Sequence, residues 1–116
     1  MGIVTMILND APYGIEKAYT ALRLASALVV AGEKLYIHLM GDAVVAAKAG
    51  QKTPDGYYNL GDKLKDLLLK GVIIKVCQTC IKARGIAAEE MIEGIQVGSM
   101  IELAKTIRES DKVLTF

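Results

Sequence analysis

Apolar residues fall into short runs and helically spaced stripes that alternate along the chain. Gly2–Leu8 (GIVTMIL) is a compact apolar run rich in β-branched residues and predicts a buried strand. Asn9–Gly14 contains Pro12 and Gly14 and reads as a loop. Ile15, Ala18, Leu22, Ala25 and Val29 then recur at helical spacing, and Gly32 is a natural C-terminal stop. Lys34–Met40 (KLYIHLM) predicts a second strand. Gly41-Asp42 turns the chain, with Asp42 expected to cap a short helix through Lys48.

Gln51–Asn59 is the one long polar loop. Asn59 is expected to cap a helix whose apolar face is Leu60, Leu64, Leu67 and Leu68, with Gly71 at its end. Val72–Val76 predicts a third strand, with Cys77 at or just past its C-terminal end. Cys80–Gly85 reads as a turn or short helix, and Ala87–Glu93 as another helix broken by Gly94. Ile95–Val97 reads as a short fourth strand. Ser99 and Glu102 form a capping box for a helix through about Arg108, and Lys112–Phe116 is the last strand.

Apolar strands alternating with helices predict an α/β fold. It is a single three-layer α/β/α domain over residues 1–116, with a mainly parallel sheet of about five strands. In such a sheet the ligand crevice lies outside the C-terminal strand ends. Asn9–Gly14, Gly41-Asp42 and Cys77–Gly85 are the loops expected to meet there.

Composition narrows the function classes. A chain of 116 residues fits one domain, and 53% hydrophobic residues exclude intrinsic disorder. The net charge of +1 and the absence of Trp give no reason to expect direct nucleic-acid binding. No apolar run approaches the length of a membrane span, and the first residues have no basic leader region. The expected location is the cytoplasm. Mean hydropathy is +0.35, more apolar surface than a small domain hides alone, so burial between subunits is expected.

The candidate chemistry centres on Cys77 and Cys80 in the run CQTCIKARG. A bridge closing so small a loop would add little stability, so reactivity is the better reading. A strand end entering a helix offers free backbone N–H groups, and Arg84 adds a permanent cation. The alternative is a pair of small buried residues. Thioredoxin-type exchange is weaker, because Pro12 and Pro54 both precede the cysteines. A structural zinc site needs four ligands, and one chain offers two Cys and His38. No metal or cofactor is therefore expected. His38, in apolar company on the second strand, reads first as a satisfied core or interface histidine, although it lies near the crevice end. Asp10 and Asp42 read as capping or turn residues. No GxGxxG, P-loop or GxSxG pattern occurs.

Several features together resemble the DsrE/DsrF-like sulfur-relay family, with its TusD-like and YchN-like branches. They are the opening strand followed by Ala11-Pro12-Tyr13-Gly14, the Ala25–Leu35 helix and turn, Cys77 seven residues before Arg84-Gly85-Ile86, and the ending Asp111–Phe116. The resemblance implies a protein that accepts sulfane sulfur as a persulfide and passes it on. It implies Cys77 as persulfide carrier, with Arg84 as the stabiliser of thiolate or persulfide; Cys80 is an addition to the one-cysteine pattern, a second thiol able to resolve the persulfide to a disulfide and release hydrosulfide. Tyr13, Gly14 and Gly85 become binding positions. It also implies a homo-oligomer, trimer or hexamer, with paralogous subunits in some cases and with sulfur donor and acceptor proteins as partners. Two other readings stand beside it: a non-catalytic assembly or small-ligand-binding subunit, and a CxxC dithiol redox switch.

Overall fold

The computed structural model describes residues 2–116. Its elements are β1 (Ile3–Leu8), α1 (Lys17–Val30), β2 (Lys34–Leu39), a 3-10 segment (Gly41–Ala47), α2 (Leu60–Leu69), β3 (Ile73–Cys77) and α3 (Gln78–Ala83). A 3-10 turn (Ala88–Glu90), β4 (Gln96–Gly98), α4 (Met100–Glu109) and β5 (Lys112–Thr115) complete the chain. The five strands form one sheet in the order β4-β3-β2-β1-β5, and every neighbouring pair is parallel.

The connections explain the two unequal faces. From β1 to β3 the chain steps along the sheet in one direction, and right-handed crossovers put α1 and α2 on one face. From β4 it returns past three strands to pair β5 with β1, which puts α4 on the other face. The first face is fully dry: Met6, Ile37, Leu39, Ile74, Leu60 and Leu64 are all buried. On the second face Ile3, Ile7, Tyr36 and Ile73 are only half-buried under the single helix α4.

Local chemistry sets several boundaries. Asn59 caps α2 as expected, its Oδ1 accepting from the Asp62 N–H at 3.1 Å. Ser99 and Glu102 close the capping box on α4. Three expectations change. Ile15 lies before α1 and is exposed, because the Asn9–Gly14 loop runs on to Glu16. Asp42 is not a cap: the 3-10 segment starts from Met40 with no side-chain cap, and Asp42 is held by Arg84 instead. The Ala87–Glu93 helix shrinks to Ala88–Glu90, because the chain leaves helical geometry to bury Met91 and Ile92. The Ile92 N–H donates to the Ala47 carbonyl, and Lys48 bridges Met91. Among the described residues no helix is long and apolar enough to cross a membrane.

Candidate functional site

Cys77 is the last residue of β3 and the N-cap of α3. The position follows from sequence: Val72–Val76 needs a buried strand, and Ile81 needs a buried helix position next to it. The reversal between them leaves the thiol at the sheet's C-terminal edge, half-buried. Its Sγ accepts from the Cys80 backbone N–H at 3.4 Å and lies 3.2 Å from the Thr79 hydroxyl. Partial burial pushes the Cys77 thiol up, but the hydrogen bonds from the Cys80 thiol, the Thr79 hydroxyl and their backbone N–H groups outweigh it. The thiol is held below its ordinary range. Cys80 behaves oppositely. Burial and the neighbouring Cys77 push its thiol up, against a hydrogen bond from the Gly41 N–H to its Sγ at 3.2 Å. Both cysteines are free thiols.

The two thiols are thus differentiated by place. Cys77 is the better thiolate at neutral pH, and Cys80 the better reservoir of a protonated thiol.

Arg84 sits at the C-terminal end of α3. Its Nε and Nη2 donate to Asp42 Oδ1 at 3.1 and 2.8 Å, and its Nη1 donates to the Cys80 carbonyl at 3.0 Å. The guanidinium therefore ties the cysteine helix to the 3-10 segment, and the hydrogen bonds that hold the Cys77 thiol down come from Cys80 and Thr79. Gly85 ends α3 with φ +67°, a conformation that costs other residues strain, while the Gly85 and Ile86 N–H groups donate to Lys82 and Ile81. Gly85 acts here as a helix stop.

Tyr13 and Gly14 are not brought to the cysteines. They line a separate surface hollow with Tyr57 and Tyr58. The Tyr13 hydroxyl accepts from the Leu60 N–H at 3.0 Å, satisfying an orphan donor at the start of α2. Of the three loops expected to meet, Gly41-Asp42 and Cys77–Gly85 are joined through Cys80 and Arg84. Only the Asn9 end of the third reaches them: a Cβ on Gly41 would lie 3.4 Å from the Asn9 carbonyl.

Beside Cys77 is a cavity of about 140 Å³ between the sheet and α4. Its walls include His38, Met40, Cys77, Thr79, Ser99 and Leu103. Parallel register explains the grouping: His38 pairs with Lys75, Lys75 with Gln96, and Cys77 with Gly98. Residues two apart share a face, so His38, Met40 and Cys77 belong to the α4 side. Lys75 Nζ donates to Glu102 Oε2 at 2.9 Å and fastens α4 to β3. Burial, helped by the Lys75 cation and partly opposed by Glu102, pushes the His38 imidazole below its ordinary value, so it is neutral at pH 7. Sequence reasoning missed Thr79, for which CxxC offers no signal beyond proximity. It read His38 first as a core or interface histidine near the crevice end of its strand, and the structure has it both buried and in the cavity wall.

Among the described residues no group of three or more His, Cys, Asp or Glu is placed to hold a metal ion.

The DsrE/DsrF-like family pattern matches residues 2–116. The protein YchN of Escherichia coli K12 is 41% identical over 115 residues, covering 97% of each chain. The uncharacterized protein MK0008 of Methanopyrus kandleri is 40% identical over 114 residues, covering 98% of this chain and 93% of its own. The crystal structure of E. coli YchN superposes with a TM-score of 0.94 over the whole of both chains. A protein of unknown function from Methanobacterium thermoautotrophicum, MTH1491, shares the fold at a TM-score of 0.79 and 14% identity, covering 98% of this chain and 97% of its own. Whole-chain pattern, sequence identity and structure agree, and the chain belongs to the DsrE/DsrF-like family, a family often linked to sulfur relay.

Proposed function

We propose that this protein is a cytoplasmic sulfurtransferase of the persulfide-carrier type, with Cys77 as the sulfur-bearing residue. The observation that carries the reading is the Cys77 thiol, held below its ordinary range at a strand end and facing a small cavity. Cys77 thiolate attacks the outer sulfur of a donor R–S–SH, the donor S–S bond breaks, and R–S⁻ departs, leaving Cys77–S–SH. An acceptor thiolate then attacks that outer sulfur and Cys77 thiolate leaves. Donor and acceptor are proteins or small molecules that present such sulfur.

Cys80 supports a second outcome of the same site. Its thiol, deprotonated, attacks the inner sulfur of Cys77–S–SH, expels HS⁻ and leaves a Cys77–Cys80 disulfide. The proximity of the two sulfurs favours this branch. Arg84 is a positioning residue, holding α3 against Asp42.

Self-association completes the proposal. Met100 and Ile101 on α4 and Val113 on β5 are exposed, at 65%, 75% and 39%, beside the thinly covered sheet face. A trimer or hexamer of identical subunits, or of this chain with paralogues, would bury that surface. Sedimentation velocity reads the mass directly, and a monomer at micromolar concentration would refute this part.

The function is tested by intact-protein mass spectrometry after exposure to a persulfide donor, on wild type, Cys77→Ser and Cys80→Ser. A dithiothreitol-reversible gain of one sulfur atom that requires Cys77 is expected. Loading that survives in Cys77→Ser would overturn the assignment.

A further inference from the structure

His38 is 4% exposed, and no hydrogen bond contributes to its acidity. Yet among the described residues no fully buried side-chain nitrogen lacks a partner. The ring nitrogens therefore open onto space rather than onto protein, and the space that His38 lines is the cavity it shares with Cys77. A buried polar side chain without a protein partner is costly unless something else bonds to it. The charged and titratable groups facing it are Lys75 from β3, Glu102 from α4 and Cys77 itself. Its register partner on β1 is the apolar Ile7.

Resting on the sulfur-carrier reading, we propose that His38 is the proton-transferring residue of this cavity, acting on a small uncharged thiol that enters to take sulfur from Cys77. The entering R–SH gives its proton to the imidazole and attacks the outer sulfur of Cys77–S–SH. The Cys77 S–S bond breaks, R–S–SH forms, and the imidazolium returns the proton to the departing Cys77 sulfur. The sum is R–SH + Cys77–S–SH → R–S–SH + Cys77–SH, with no net oxidant, reductant or proton. An uncharged imidazole at neutral pH has the lone pair that the first step needs. A cavity of about 140 Å³ with Met40 and Leu103 in its walls suits a small, uncharged thiol rather than a bulky or ionic one.

The test uses a chemically made adduct, so it reads His38 whether or not the protein loads sulfur from a donor. Cys77 is converted to Cys77–S–S–CH₃ with methyl methanethiosulfonate in a Cys80→Ser background. Recovery of free Cys77 by 2-mercaptoethanol is followed by mass spectrometry from pH 6 to 9, with His38 intact, His38→Gln and His38→Phe. With His38 the rate is expected to be flat from about pH 7 to 8, because lost solution thiolate is replaced by proton transfer within the cavity. Both variants are expected to rise about tenfold per pH unit, tracking solution thiolate, and to be slower by on the order of 10²-fold at pH 7. Equal pH slopes in all three proteins would overturn the role of His38. Retained His38-dependent exchange in a protein that never gains sulfur from a persulfide donor would instead overturn the carrier reading alone. Far-ultraviolet circular dichroism on both variants separates loss of chemistry from loss of fold.

Discussion

Thr79→Val is the sharpest probe of how Cys77 is activated. Thr79 is exposed on the first turn of α3, and its hydroxyl lies 3.2 Å from Cys77 Sγ. Valine keeps the branched shape and removes the donor. It leaves the Cys80 N–H bond to Cys77 in place. A hydrogen bond at a partly exposed position is worth about 0.5–1.5 kcal/mol net. At about 1.4 kcal/mol per factor of ten, the thiolate fraction below the half-titration point falls by about 2- to 12-fold. A more basic thiolate is also more nucleophilic, with a Brønsted coefficient of about 0.4–0.5, so the observed rate falls only about 1.5- to 4-fold. The assay is iodoacetamide alkylation from pH 5 to 9, resolved to Cys77 by peptide mass mapping. Half-titration should move up toward the ordinary thiol range in Thr79→Val and stay in place in Thr79→Ser. An unmoved or lowered half-titration point in Thr79→Val would refute the reasoning, since only the hydroxyl was removed.

Three further outcomes are expected. Leu64→Ala empties a fully buried position on α2 and should cost about 2–5 kcal/mol in urea unfolding; a loss below about 1 kcal/mol would contradict the packing. Arg84→Gln breaks an ion pair whose side chains are 30% and 66% exposed, so stability should fall by less than about 1 kcal/mol, and the Cys77 half-titration point should not move. A large upward move would restore Arg84 as a direct stabiliser of the thiolate. His38 has its imidazole pushed down by burial and Lys75, so below about pH 6.5 the unfolded chain binds more protons than the folded one. Stability should therefore decline as pH falls through that value toward the folded one. His38→Phe should flatten that part of the unfolding profile, and an unchanged acid limb would show that another group causes it.

Much of the scaffold was legible because its residues obey local rules. Asn59 and the Ser99–Glu102 pair marked helix starts that the structure uses, since a cap acts only on backbone N–H groups three residues away. Gly2–Leu8 and Val72–Val76 read as strands from apolar runs alone, and the structure has them at Ile3–Leu8 and Ile73–Cys77. Ala87–Glu93 misled, because its helical composition competes with the demand of Met91 and Ile92 for the core, and tertiary burial won. Asp42 misled for a similar reason: a carboxylate at a segment start resembles a cap, but its partner Arg84 is 42 residues away.

The chain by itself determined the α/β alternation, the place of Cys77 at a strand end, and its pairing with Cys80 one helical turn on. All of these depend on interactions within a few residues. The tertiary structure alone decided which side chains share the thiol's cavity. Parallel register set His38, Met40, Cys77 and Gly98 on one face, and the return of the chain to β5 brought Leu103 and Ser99 over them on α4. It also turned Tyr13 and Gly14 away toward α2 and gave Arg84 to Asp42. Register and crossover direction are settled by burial summed over the whole sheet, and no local stretch of sequence contains that sum.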